Sequence, residues 1–230
     1  MTIGGEFGGG RLRTAVAQLG QPNLDNAALP LGSRAGAQRQ LAAFVEQPSR
    51  KNYLAARDAV LSQSPLPLDA TDLAEIEALL DDEQHEAVLT RLDLLPPSKV
   101  LSPRVHYLAA EAADALGQDD EVELERSLFV VTLRGMFATG DGTRANPYSV
   151  CHTCDEYDVV AALGAEPAAQ SLVEYEGRLC DVILCSDGRE LCFDVTHLLS
   201  PAERPKRRAR RPKLVRAGKR VSRQWARAKG

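Results

Sequence analysis

The chain has 230 residues, 44% hydrophobic and 5% aromatic, with a formal net charge of −4, which suits one or two domains with a real core. No stretch reaches the length of a membrane span, and the opening MTIGGEFGGGRLR lacks the apolar run of a signal peptide. The near-neutral total hides an asymmetry. Residues 1–200 carry 15 Lys and Arg against 31 Asp and Glu, a net of −16, whereas residues 201–230 carry 13 against Glu203 alone, a net of +12. This is a basic tail on an acidic body. The five cysteines are an odd number, and with no export signal they read as reduced thiols in a cytoplasmic protein.

Residues 1–32 scatter Gly and Pro without sustained periodicity and read as largely disordered. From Ser33 the pattern turns helical. Leu41, Phe44 and Val45 form one stripe ended by Pro48. Ser49 caps a second helix with Tyr53, Leu54, Val60 and Leu61. Asp69 caps a third that turns Leu73, Ile76, Leu79 and Leu80 inward, and His85–Leu95 makes a fourth before Pro96-Pro97. Ser102-Pro103 reads as a cap followed by proline at the first helical position. Val105, Leu108, Ala112 and Leu116 then recur until Gly117, and a last helix runs from about Asp119 to Met136. Leu80–Glu83 aligns with Leu116–Asp119 at an offset of 36, each followed by an amphipathic helix. Paired helices at that period suggest hairpins of the tetratricopeptide type, although the signature residues of that repeat are mostly missing.

Gly140–Leu163, GDGTRANPYSVCHTCDEYDVVAAL, closes the helical region. Gly140-Asp141-Gly142 is turn material and Tyr148–Thr153 reads as a strand. Asp155 is placed as a helix N-cap, with Glu156 and Asp158 favoured in the first turn by the helix dipole and Gly164 as the stop. Thereafter the period changes to two. Ser171–Tyr175, Leu179–Cys185 and Glu190–Val195 read as strands, joined by turns at Glu176-Gly177 and Asp187-Gly188. The expected fold class is α+β: a helical-hairpin, repeat-like region at 33–137, then a small antiparallel β-rich module with one helix at 138–200. The basic tail, partly helical, occupies 201–230.

GDGTRANPYSV, DEYDVVAALG, LCDVIL and LCFDVTHLL, preceded by SPRVHYLAAEAADALG and ELERSLF, resemble the uncharacterised bacterial domain-of-unknown-function family 4919 over about residues 48–199. The resemblance implies the domain layout and supplies no activity. Cysteine at 151 and 154 is not part of the family pattern, and the tail lies outside it.

Cys151-His152-Thr153-Cys154 has the C-x₂-C spacing of a zinc knuckle. A second pair would have to come from Cys180, Cys185, Cys192 or His197, none of which forms another C-x₂-C, so the signal is weak and the residues read first as small semi-buried strand thiols. His85 and His106 read as ordinary polar residues on helix faces. No Walker loop, dinucleotide glycine pattern or G-x-S-x-G elbow is present, and no cofactor is implied. The tail carries the sharpest functional signal. Lys206, Arg207, Arg208, Arg210 and Arg211 form a proline-broken basic run, and Lys213, Arg216, Lys219, Arg220 and Arg223 continue it. Leu214, Ala217, Val221 and Trp225 follow at helical spacing. Such an arm binds polyanions by counterion release, and Trp225 offers a stacking face.

These features point to a non-enzymatic binding or scaffold protein, with a protein partner on the helical platform and nucleic acid or another polyanion on the tail. The alternatives are an enzyme or metal-binding module centred on Cys151, Cys154, Asp155 and Glu156, and peripheral membrane attachment through the Trp225 helix. The tail has one further destination, the acidic body itself, at Asp81–Glu83, Asp119–Glu125 or the DEYD run.

Overall fold

A computed structural model describes residues 31–63 and 70–198. Residues 1–30 and the tail positions from Lys206 to Trp225 therefore lie outside the described residues. Two helices open the described chain, α1 (Leu31–Glu46) and α2 (Arg50–Leu61), with Pro48 between them. Ser49 accepts the Asn52 N–H at 3.3 Å and caps α2 as its residue type predicts. The pair α3 (Ala70–Asp81) and α4 (His85–Asp93) follows, then a 3-10 turn at Pro97–Leu101. Next come α5 (Pro103–Ala115) and α6 (Asp119–Phe137).

The α3–α4 and α5–α6 corners share one C-terminal motif. Glu83 and Gly117 both take positive φ, 57° and 69°. Gln84 N–H returns to Leu79 O and Gln118 N–H to Ala113 O, each at 2.9 Å. In both, a left-handed residue lets the chain reverse while satisfying helix-end carbonyls. These caps recur 34 residues apart, two fewer than the offset of the sequence alignment.

The C-terminal elements are β1 (Tyr148–Ser149), α7 (Asp155–Ala162), β2 (Pro167–Tyr175), β3 (Arg178–Cys185) and β4 (Glu190–Asp194). The fold is α+β as expected, but the sheet is mixed. Its order is β1-β4-β3-β2, with β2–β3 and β3–β4 antiparallel and β1 parallel to β4. A hairpin cannot join β1 to β4, since α7, β2 and β3 intervene. The strand read at Tyr148–Thr153 pairs only through Tyr148 and Ser149, because Cys151–Cys154 turn into α7. The turns at Glu176-Gly177 (φ 50° and 79°) and Gly188 (φ 88°) are where the hairpin signals place them.

Register explains the sheet's two faces. Leu179, Ile183, Leu191 and Phe193 point to the helices and join Phe44, Tyr53, Val60 and Met136 in one core. A second core, Leu73, Ile76, Val88, Leu92, Val105 and Leu108, lies among α3, α4 and α5. The turn leading into α7 sits where they meet. Cys151, Val159 and Val160 belong to the first core, while Cys154 packs on the second.

Candidate functional site

That turn draws polar side chains into the interior. Asp155 and Glu156 have no exposed surface and Asp158 is buried. Asp155 is not the N-cap of α7 but its first residue. Its Oδ2 reaches back to accept the His152 N–H at 2.9 Å and so closes the turn that leads into α7. Its Oδ1 accepts the Ser102 hydroxyl at 2.7 Å. Ser102 thus stands at the N-cap position of α5 without capping it, because its hydroxyl ties α5 to α7 instead. Asp158 meets Arg104 of α5 at 2.7 Å. On the other side of α7, the Gln170 amide donates to Glu156 Oε2 at 3.3 Å and Asp181 Oδ2 at 2.6 Å, and Tyr157 O–H donates to Gln170 Oε1. His152 Nε2 lies 3.1 Å from Ser98 O in the 3-10 turn, and His197 Nε2 2.9 Å from Val150 O.

Burial dominates the electrostatics. It pushes Asp155 up to about 8, with the Ser102 hydroxyl pulling back and the Asp158 charge adding to the rise. It raises Glu156 to about 9, helped by the negative charges of Asp181 and Asp155. Asp158 is also raised by burial, while Arg104 restrains it. Burial lowers both His152 and His197 to about 4, and the Arg57 charge adds to the effect at His197. Glu156 Oε1, Asp158 Oδ2 and Asp181 Oδ1 are buried without a hydrogen-bond partner.

The two cysteines of the knuckle spacing come no closer to a metal centre. Among the described residues no group of three or more His, Cys, Asp and Glu could hold a metal ion. Cys180 and Cys185, five residues apart on β3, face opposite sides of the sheet. Cys185 joins the core, and His197 is committed to Val150 O. Burial raises the Cys151 and Cys154 thiols, against the thiolate that a nucleophilic role requires. All five thiols are free. At pH 8 an aromatic disulfide reagent is expected to leave Cys151, Cys180, Cys185 and Cys192 unreacted until denaturant is added. Prompt labelling of Cys151 in the folded protein would show an accessible thiolate and reopen the metal and redox readings.

Among the described residues, two of the concavities lie elsewhere and are not lined by residues 151–158. The smaller, about 190 Å³, contains Lys99, His106 and Glu125. His106 is buried rather than lying on an open helix face. Its Nδ1 is 2.6 Å from Glu125 and its Nε2 3.1 Å from Val100 O. Lys99 donates to Leu92 O at 2.5 Å, and burial lowers its pKa. The volume is below the range of ordinary ligand sites, roughly 300–1,000 Å³.

The larger, about 860 Å³, is a groove along α6 from Asp119 to Arg134, walled by Val45, Glu46 and Pro48 at the α1–α2 corner. Its apolar surface comes from Val45, Val122, Leu128, Val130 and Val131, and Val130 is 43% exposed. Glu46, Asp114, Asp119 and Glu123 line it against Arg126 and Arg134. Arg126 is itself paired with Asp114 at 3.6 Å. The sequence marked Asp119–Glu125 as an acidic run but carried no sign of a groove, because the opposite wall is contributed some seventy residues upstream.

Together these features define an α+β protein with a buried polar seam between two cores and a groove on one long helix. No protein-family model, curated protein or solved structure matches the chain. Among the described residues, no helix is long and apolar enough to cross a membrane.

Proposed function

We propose that this is a cytoplasmic, non-enzymatic binding or scaffold protein. Its helical region takes a protein partner, and its basic tail contacts nucleic acid or another polyanion. The groove along α6 carries the reading. It has the volume of a ligand site, an apolar floor and a charged rim. The carboxyls of the CHTCDEYD turn, by contrast, serve as ties between elements, which weighs against the enzyme alternative. The tetratricopeptide-like character of the helices and the resemblance to family 4919 over about residues 48–199 belong to the same proposal. The matching caps of the α3–α4 and α5–α6 corners support a hairpin platform of this kind.

The tail is tested by titrating the full-length chain with generic RNA and duplex DNA at several salt concentrations. Affinity is expected to fall steeply with salt. Changing Lys206, Arg207, Arg208, Arg210 and Arg211 to Gln should make the log–log slope shallower by up to about 4 to 5 for duplex DNA, at roughly 0.9 per phosphate contact. Absence of binding at low salt, or a slope that ignores the five changes, removes the polyanion reading.

A further inference from the structure

Three acidic stretches could answer the tail's charge, and the fold separates them. Asp155, Glu156 and Asp158 of the DEYD run are buried. Asp81–Glu83 is exposed at a helix corner that lines neither concavity. At Asp119–Glu123, exposed carboxylates stand beside an apolar concavity.

From this we infer that the groove along α6 is the docking site of the chain's own C-terminal segment, residues 213–229. The inference rests on the reading of the groove as a binding surface and names its occupant. As a helix, the segment gathers Leu214, Ala217, Val221 and Trp225 into one stripe, while Arg216, Arg223 and Arg227 fall on the far side and Lys213 and Arg220 on its flank. The stripe matches the exposed Val130 and its apolar neighbours, and the flanking cations match Asp119 and Glu123. Lengths agree as well. Seventeen helical residues span about 25 Å, and Asp119 to Arg134 about 22 Å. Reach is not limiting. Residues 199–212 extend to about 45 Å from Leu198, whereas a body of this size has a radius of gyration of roughly 15 Å. Tethering supplies an effective concentration on the order of 1 mM. A free-peptide Kd of about 0.1 mM would therefore keep about nine-tenths of the tails docked.

Trp225 is the sole tryptophan, so its fluorescence reports the tail directly. In the full-length protein, its emission is expected at shorter wavelength and with less acrylamide quenching than in denaturant, independent of protein concentration. Glu123→Lys combined with Val130→Glu, both at exposed positions, should shift it to the denatured value with the circular dichroism unchanged. A solvent-like Trp225 in the wild type overturns the inference. So does protection that survives the groove variant, which places the tail elsewhere, or protection lost on dilution, which assigns the groove to a second copy. A labelled peptide of residues 212–230 supplies the remaining arm. It is added to a full-length variant with Lys213, Arg216, Arg220 and Arg223 changed to Gln and Trp225→Ser. If it binds there and not to the groove variant, while wild-type Trp225 stays solvent-like, the groove stands as a binding surface and only docking of the chain's own tail fails. If no peptide binds and Trp225 is exposed, both readings fall.

Discussion

Raising the pH from 6.5 to 9 is expected to remove up to about 5 kcal/mol of folding stability, a large share of the roughly 5–15 kcal/mol typical of a domain. The cause is the polar seam at the start of α7. Burial holds Asp155 up to about 8 and Glu156 to about 9, far above the values of both groups in an unfolded chain. A carboxyl raised on folding contributes stability that is complete below its unfolded pKa and is lost as pH climbs through its folded one. At roughly 1.4 kcal/mol per unit, the interval above pH 6.5 is worth about 2 kcal/mol for Asp155 and about 3 for Glu156. His152 and His197, lowered to about 4, act in the other direction. Their contribution is complete above about pH 6.5 and falls away toward pH 4, so the two pairs largely cancel between about pH 4.5 and 6. Stability should therefore be nearly level in mild acid and decline through neutrality. Denaturant midpoints measured from pH 5 to 9 check this, with Glu156→Gln expected to remove the later part of the decline. A midpoint that holds or rises above pH 6.5 would mean that both acids are already ionised in the folded protein, and the account of the seam would fail.

Gly135→Ala is expected to destabilise the fold by about 2 kcal/mol, although alanine is the better helix former by nearly 1 kcal/mol. Gly135 lies inside α6, and an added Cβ would stand 2.6 Å from Phe44 Cε2 and Cζ and from Tyr53 Cδ2. Neither ring can retreat. Phe44 is 1% exposed, Tyr53 is fully buried, and the two pack edge to face with centroids 5.4 Å apart. Overpacking of this kind costs about 1–3 kcal/mol. Gly36→Ala in α1 is the matched control. Beyond its chain neighbours and its own helix backbone, nothing lies within 4 Å of a Cβ there, so the same exchange should raise stability by up to about 1 kcal/mol. Opposite signs in chemical denaturation would establish that α1 and α2 approach α6 through a glycine. Equal signs would refute it.

Local chemistry made much of this architecture legible. Ser49, Pro48 and Gly117 punctuate helices wherever they occur, and period-two runs with Asp187-Gly188 announce a hairpin, because these signals act over a few residues. Gly164 ends α7 at φ 65° as its position suggests. The same local logic misplaced Asp155, which is the first residue of α7, and put Ser102 correctly at the N-cap of α5 without showing where its hydroxyl goes. Each has the right residue type for an N-cap, yet each spends its side chain on a partner that sequence distance conceals. For the Ser102–Asp155 bond that distance is 53 residues.

The charge asymmetry between body and tail, the helical and strand periods and the absence of familiar catalytic motifs needed only the order of residues. These properties depend on composition and short-range geometry. Packing decided the rest: that β1 runs parallel to β4, that the DEYD carboxyls are interior ties instead of an acidic surface, and that Asp119–Glu123 borders an apolar groove. Each depends on which distant segment arrives opposite, and burial then sets whether the same carboxylate is a solvated charge or a protonated group in the core.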